Sequence, residues 1–508
     1  MSEFAIRVLE LLASGIVEAL RSFVPPWLIG TSAPESHGAS RWARWNEHWL
    51  LGRLAIPERA YGDGIVIGFL GRRLLQSPAE DNVLLLGVQR AGKTSTVVVP
   101  TLLTWSGACV ATSTKHELVT ISARRRRQLG PVWVFSPLDR EHFWVEELGL
   151  EPASWNPITS LTDCGSAAEL ADNFTAAGKF GHSAHWYLSA SNLITALAMV
   201  EHECGGDMAT LLARLNRTSQ KEYAGLASSA GDATAADLLL GFARTPDVEA
   251  GSIASTARSS LGLWLDPRIA ATTKSSEHEL DIDRLLAEKG TLYLVAPSEE
   301  AERCRPLFSA LIGELLRRAT ARARFLGGVL SPRLLLALDE AANFARIPRL
   351  AGYASSGPGQ GIQLLLSFHD LAQLEAGYGP EKTRTIWNNC RARLLLPGQG
   401  DLQTLDQFSR AIGDETRIYR AQHSDRRGSS SSEQRIGRPL CTRDELRRLG
   451  QSVLIYASAP PARLSPRRWD EVPHFRRLVD GGASVGSQRC SRWLPPFIRR
   501  FTGRGGSS

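Results

Sequence analysis

The chain has 508 residues, 43% hydrophobic and 22% charged, with a net charge of +7 and an isoelectric point near 9.1. That length exceeds one ordinary core, so a large domain with an insertion, or two to three domains, is expected. The composition is that of a soluble globular protein, not of a disordered or fibrous one. Arg dominates the bases, which suits phosphate and nucleic-acid contacts and equally follows from genomic base composition. The 7 cysteines are scattered with no C-x-x-C pair, so neither a zinc site nor a disulfide framework is indicated, and a reducing cytoplasm fits.

Residues 1–80 form a lead-in. The apolar stretch Phe4–Leu28 is broken by Arg7, Glu10, Glu18, Arg21, Pro25 and Pro26, whereas a spanning helix needs ~20 nearly uncharged residues. No signal peptide is recognised. Val8, Leu11, Leu12, Ile16, Leu20 and Phe23 recur at helical spacing, predicting a helix docked on its own domain or on a partner. A Pro/Ser/Gly/His loop, Thr31–Ser40, and a Trp-rich stretch, Arg41–Leu51, follow. Ile65–Phe69 and Arg72–Leu75 read as a small hairpin.

Residues 81–166 begin an α/β core. Asn82–Leu86 is apolar enough for a buried strand and Ser95–Leu103 can open a helix. Between them lies Gly87-Val88-Gln89-Arg90-Ala91-Gly92-Lys93-Thr94, the G-x-x-x-x-G-K-T phosphate-binding loop. Its backbone N–H groups, with Ser95 at the helix start, cradle phosphates where the helix dipole favours negative charge. Lys93 reaches the β/γ-phosphates and Thr94 ligates Mg²⁺. Ala108–Ala111 and Val132–Phe135 read as further strands. The helical Lys115–Gln128 between them ends in Arg124–Arg127, read as a solvated helix end or a DNA phosphate contact.

From 167 to 287 the periodicity is helical and clear strands are missing, which predicts an all-helical insertion between two halves of the core. His182 and His185 lack a carboxylate or Cys at ligand spacing. The second half, 288–475, resumes strands at Thr291–Ala296, Arg333–Leu338, Ile362–Ser367, Ala392–Leu396 and, last, Ser452–Ala457, with a helix over Pro306–Phe325. Alternation of this kind predicts a mainly parallel sheet covered on both faces. Arg426–Gln434 reads as an exposed flexible loop, and 476–508 as a basic tail.

Leu334–Leu338 carries Asp339-Glu340 to its end, where open α/β sheets place ligands. Asp339 is expected to hold Mg²⁺ through water and Glu340 to activate the attacking water. The next strand leads into Phe368-His369-Asp370-Leu371-Ala372-Gln373, in which His369 senses the γ-phosphate or caps the following helix; Gln373 is the further candidate there.

These motifs reach a family. The chain resembles the type IV secretion coupling proteins of the TraG/TraD (VirD-type) kind from about Arg41 to Arg463. The resemblance rests on the phosphate loop followed by Val98-Val99-Pro100-Thr101-Leu102-Leu103, and on Ser113-Thr114-Lys115-His116-Glu117-Leu118, similar to the family's D-P-K-G-E-L. It continues through Trp155-Asn156-Pro157, Leu338-Asp339-Glu340, His369–Leu374, Asn388-Asn389-Cys390 and Arg438-Pro439-Leu440. It implies a RecA-like P-loop core with the helical insertion, and a homohexameric ring with ATP and Mg²⁺ between subunits. It also implies DNA, bound largely without regard to sequence, or a DNA–relaxase complex at the pore, and an arginine supplied by the neighbour.

Three positions depart from the family. No membrane-spanning helix is read before the core, which predicts a cytoplasmic chain touching the membrane only peripherally or through a partner. His369 stands where the family carries the first Gln of its Q-x-L-x-Q motif. Ser355–Gln360 lacks the Arg that some members carry as the trans finger, leaving Arg346, Arg349, Arg391 and Arg393 as replacements. The expected function is an ATPase delivering DNA with attached protein to a type IV secretion channel. A recruitment scaffold without translocation and a HerA/FtsK-type motor without a channel are the alternatives.

Overall fold

The computed structural model describes residues 38–44, 62–139, 143–175, 184–344, 346–347, 349–425 and 428–481, without the side chains of 143 and 420–432. The expected N-terminal helix over Phe4–Phe23, Trp45, Trp49, His182 and the tail beyond 481 lie outside the described residues. The chain divides into two compact units, 42–408 with 442–508, and 1–41 with 409–441.

The larger unit is built on a nine-stranded sheet in the order β13-β12-β9-β3-β8-β7-β4-β6-β5. Seven strands are parallel: β3 (Val83–Leu86), β4 (Ala108–Ser113), β5 (Val132–Phe135), β6 (Thr291–Val295), β7 (Leu334–Leu338), β8 (Ile362–Phe368) and β9 (Ala392–Leu395). β12 (Ser452–Tyr456) and β13 (Ala462–Leu464) extend it antiparallel. The central strands β3, β4, β7 and β8 are buried along their whole length, which is why they do not read as polar–apolar alternation. β1 (Val66–Leu70) and β2 (Arg73–Gln76) form the expected hairpin.

Among the described residues between β5 and β6 there is no strand, only helices, including Cys164–Thr175, Ala184–Cys204, Met208–Arg217, Ala233–Ala243 and Asp247–Ser260. Ala184–Cys204 is buried from Ala190 to Glu201 except at Asn192, so its neighbours cover most of its surface there. Met208–Arg217 starts from Asp207, which accepts from the Thr210 N–H at 2.8 Å while the Thr210 hydroxyl accepts from the Asp207 N–H. Trp155-Asn156-Pro157 fastens this helical part down. The Asn156 amide donates to Gly206 O (3.1 Å) and Ser275 Oγ (3.3 Å), and Trp155 N donates to Thr272 O (3.0 Å).

Four readings of the sequence are corrected. The helix expected from Pro306 runs Ser298–Phe325, with Pro306 inside it: proline's preference for a first turn misplaced the start. β13 follows the strand expected to be last. Most of the expected loop Arg426–Gln434 is strand: in the smaller unit β10 (Asp414–Asp425) and β11 (Gly428–Pro439) form an antiparallel hairpin. Polar serines hid it, because its ladder is made by backbone groups. The Arg124–Arg127 run is not wholly a solvated end or a DNA contact, since Arg126 is fully buried. It donates to Thr291 Oγ1 (2.7 Å), Trp105 O (2.5 Å) and Gly107 O (2.7 Å).

Candidate functional site

The carboxyl ends of β3, β7 and β8 converge on one place. After β3 the chain turns through Gly87–Gly92 and enters a π-helical turn, Thr94–Val98, continued by the helix Val99–Thr104. The turn needs unusual backbone: Gly92 has φ +92° and Arg90, not a glycine, has φ +65°. Gly87 leaves no room for a side chain, because a Cβ there would lie 2.9 Å from Leu396 Cβ. Gln89 and Arg90 are exposed, while Val88, Ala91 and Gly92 are partly covered.

Lys93 folds back into this turn. Its Nζ donates to Gly87 O at 2.6 Å, with Val88 O at 3.4 Å, and the residue is only 6% exposed. Burial pushes its pKa below the ordinary lysine value, and the carboxylates of Asp339, Glu340 and Asp370 oppose that shift. An ammonium held by loop carbonyls amid three acids is poised to exchange those carbonyls for phosphate oxygens.

Asp339 follows β7 and is clasped from both neighbouring strands. The Ser367 hydroxyl at the end of β8 donates to Oδ1 (3.0 Å) and the Thr112 hydroxyl of β4 donates to its backbone O (2.7 Å). The Thr94 hydroxyl donates to Oδ2 at 2.5 Å. Burial raises the Asp339 pKa, and Thr94, Lys93 and Ser367 counter it. A hydroxyl and a carboxylate meeting at the phosphate loop form an oxygen donor pair suited to Mg²⁺.

Glu340 is set apart from its neighbour by backbone. Its φ of +51° is left-handed, a conformation costing on the order of 1–3 kcal/mol in a non-glycine residue and usually kept where function needs it. It is only partly buried, and Asn343 holds it by N–H to O (2.9 Å) and by amide to Oε2 (3.2 Å). Two adjacent acids therefore have different surroundings, one immobilised and one reaching solvent.

His369 comes off the end of β8, partly buried. Burial, then Lys93, push its pKa below the ordinary imidazole value, against the pull of Glu340, Asp370 and Asp339. Gln373 spends its Oε1 on the His369 N–H (2.8 Å), while Asp370 Oδ1 accepts from Gln373 N (2.7 Å) to cap the helix Leu371–Tyr378. The Gln373 amide thus orders the turn that carries His369.

The finger candidates fall in two groups. Arg391 pairs with Asp81 (3.3 Å) and lies over Tyr456, and Arg393 lies over Trp387; both stand at the amino end of β9. Arg349 pairs with Glu169 (3.2 Å). Arg346 is exposed, its Nη2 donating to Ala376 O at 3.3 Å.

Sequence reading missed Ser367, Thr112 and Gln399 around this site. Their only signal was position: each sits at or just past the carboxyl end of a parallel strand, where ligands of such sheets gather. Among the described residues no cluster of three His, Cys, Asp or Glu could hold a metal by itself, and His185 contacts Glu249 at 3.4 Å.

A parallel α/β sheet presenting a phosphate loop, a buried lysine and an adjacent acid pair defines a P-loop nucleoside triphosphatase. The family model described as type IV secretory system conjugative DNA transfer matches residues 67–477. The chain belongs to this family: it is a coupling ATPase of conjugative type IV secretion. It is 27% identical over 474 residues to a conjugal transfer protein TraG of Escherichia coli, covering 81% of this chain and 71% of that protein. It is 25% identical over 471 residues to the protein VirD4 of Rhizobium rhizogenes, covering 88% and 67%. Its fold matches the unbound bacterial conjugative coupling protein TrwBdeltaN70, with a TM-score of 0.65, 16% identity and 86% and 96% coverage. TrwB in complex with ADP and Mg²⁺ matches with a TM-score of 0.63 at 17% identity, covering 86% and 96%.

Proposed function

We propose that the chain binds ATP with Mg²⁺ at Gly87–Ser95 and uses its hydrolysis to deliver DNA, with a relaxase attached, to a type IV secretion channel. The observation carrying this is the split between Asp339 and Glu340, beside Lys93. The backbone N–H groups of Gly87, Val88, Gln89, Arg90, Ala91 and Gly92, with Ser95, cradle the phosphates. Lys93 would leave the Gly87 carbonyl to meet β/γ-phosphate charge, and Thr94 directly and Asp339 through water would hold Mg²⁺. Mg²⁺, when bound, neutralises the negative charge of the phosphates. Glu340 orients the attacking water and takes its proton, a role that a partly exposed carboxylate can fill and the clasped Asp339 cannot. His369, held by its backbone, donates one ring N–H hydrogen bond to the γ-phosphate, in place of the glutamine of relatives, with Gln373 ordering its turn.

A homohexameric ring completes the site from the next subunit. Of the four arginines, Arg346 is our choice of donor, because the other three have charged or aromatic partners within their own subunit. The core is drawn from 81–166 and 288–475, less the 409–441 that belong to the smaller unit, and the helical insertion spans 167–287. Among the described residues no helix is long and apolar enough to cross a membrane; the working location is the cytoplasm, at the inner face of the membrane through a partner. The departures at His369 and Gln360 favour one rival, a nucleotide-dependent switch that recruits cargo without moving DNA.

The test is ATP affinity and steady-state turnover of Glu340→Gln. Retained affinity with turnover lowered about 10²–10⁴-fold supports the role of Glu340 as base; wild-type turnover refutes it.

A further inference from the structure

We propose that Gln399 is a positioning residue for hydrolysis, holding His369 in place by a bridge across the end of β3. This rests on reading His369 as the γ-phosphate sensor. β3 lies between β8 and β9, and its exit into the phosphate loop is bonded on both sides. Gly87 N donates to Phe368 O at 3.1 Å, and Leu396 N donates to Leu86 O at 2.8 Å. One step beyond, the two flanking segments are joined directly to each other. Gln399 is 2% exposed, and its Nε2 donates to His369 O at 2.8 Å.

The other end of the same side chain is equally committed. Gln399 Oε1 accepts from Gly400 N (2.9 Å) and Asp401 N (3.0 Å). Asp401 Oδ2 accepts from Thr404 N (2.8 Å) and Thr404 Oγ1 (2.6 Å), and Thr404 Oγ1 accepts from Leu371 N (2.9 Å). The bonds close a ring, from His369 through Gln399, Asp401 and Thr404 to Leu371, with Asp370 inside it. His369 N and Gln373 N are satisfied by Gln373 and Asp370. Both sides of the sensor turn are thereby pinned to the segment after β9, and a closed, partly buried ring of hydrogen bonds of this kind is stiff. A sensor must register the presence or absence of one phosphate, so its carrier has to stay in place; loss of about 1 Å of placement costs on the order of 10²-fold in rate.

The experiment is a double-mutant cycle on the full chain, reading ATP kcat and KM for wild type, Gln399→Ala, His369→Ala and the double variant. Gln399→Ala is expected to lower kcat about 10–10²-fold with KM within about twofold, and to cost less than about twofold more once His369 is already alanine. Gln399→Glu keeps an oxygen for Gly400 N and Asp401 N and turns the donor facing His369 O into a negatively charged oxygen that repels it. It carries the test with the same expected kcat loss if the alanine variant fails to fold, and melting curves are taken for each. Wild-type kcat in both Gln399 variants, or losses that multiply in the double variant, overturns the proposal. Unchanged turnover in His369→Ala overturns it too, while leaving the hydrolysis reading, which Glu340→Gln tests separately, intact.

Discussion

The two ends of the parallel sheet each bury a cation, and they treat it differently. At the amino end Arg126 donates to Thr291 Oγ1, Trp105 O and Gly107 O, with no carboxylate among these partners. Its acceptors belong to strands β4 and β6 or the turns entering them, so the guanidinium stitches a helix end to the sheet. At the carboxyl end Lys93 donates to the carbonyls of its own turn and feels three acids. Burial lowers both pKa values, yet only one of these cations has partners that a ligand can displace. Acceptors fixed at the ends of strands mark a cation that stabilises; a turn's own carbonyls beside carboxylates that bond elsewhere mark one that works.

The comparison breaks most sharply at Lys93. Lys93→Ala is expected to abolish ATP binding and turnover while leaving the melting temperature near wild type, because the lost bonds lie in a turn open to solvent on one side. Isothermal titration with ATP alongside thermal melting checks both halves. Arg346 sharpens the contrast, being an exposed cation whose Nη2 donates to Ala376 O. Arg346→Ala should lower turnover about 10³-fold or more with affinity nearly kept, the signature of an arginine finger. A linear fall in activity when wild type is mixed with Lys93→Ala, with subunit exchange verified, would instead argue for independent sites.

Arg126→Met should do the reverse of Lys93→Ala. It strands a hydroxyl and two carbonyls in the core, each worth about 1–3 kcal/mol when unsatisfied, so denaturant unfolding should show a loss of about 3 kcal/mol or more. ATP affinity of the fraction still folded should be unchanged. An Arg126→Met chain as stable as wild type would end the comparison.

How far this was legible in the sequence follows the same division. The phosphate loop, the acid pair and the parallel strands are local patterns, since each is a run of residues whose spacing fits one piece of backbone. Arg126 looked like its solvated neighbours Arg124 and Arg127, because nothing local distinguishes the residue that a helix turns inward onto the ends of two strands. Gln399 lies 30 positions from the carbonyl it holds, and the bond exists only because β8 and β9 flank β3. The β10–β11 hairpin escaped because its ladder is independent of its serine side chains. Gln373, read as a chemical group, proved to be occupied by the backbone of His369.

The smallest effect concerns pH. Burial holds the His369 pKa below the ordinary imidazole value, so the unfolded chain binds that proton more readily than the folded one. The stability this contributes is full above the unfolded pKa of about 6.5 and is lost as pH falls through the folded value. Melting temperature should therefore drop slightly more between pH 7.5 and 5.5 in wild type than in His369→Gln; an equal drop would mean that His369 does not titrate in that window.

The central claim is that hydrolysis at this acid pair is harnessed to DNA. It is tested most directly by ATP turnover of the assembled full chain at low salt, with and without DNA. The account predicts turnover raised by DNA, an increase that fades as salt displaces phosphate contacts. Turnover indifferent to DNA, in a preparation shown to be hexameric, would contradict it and leave the recruiting switch as the better description.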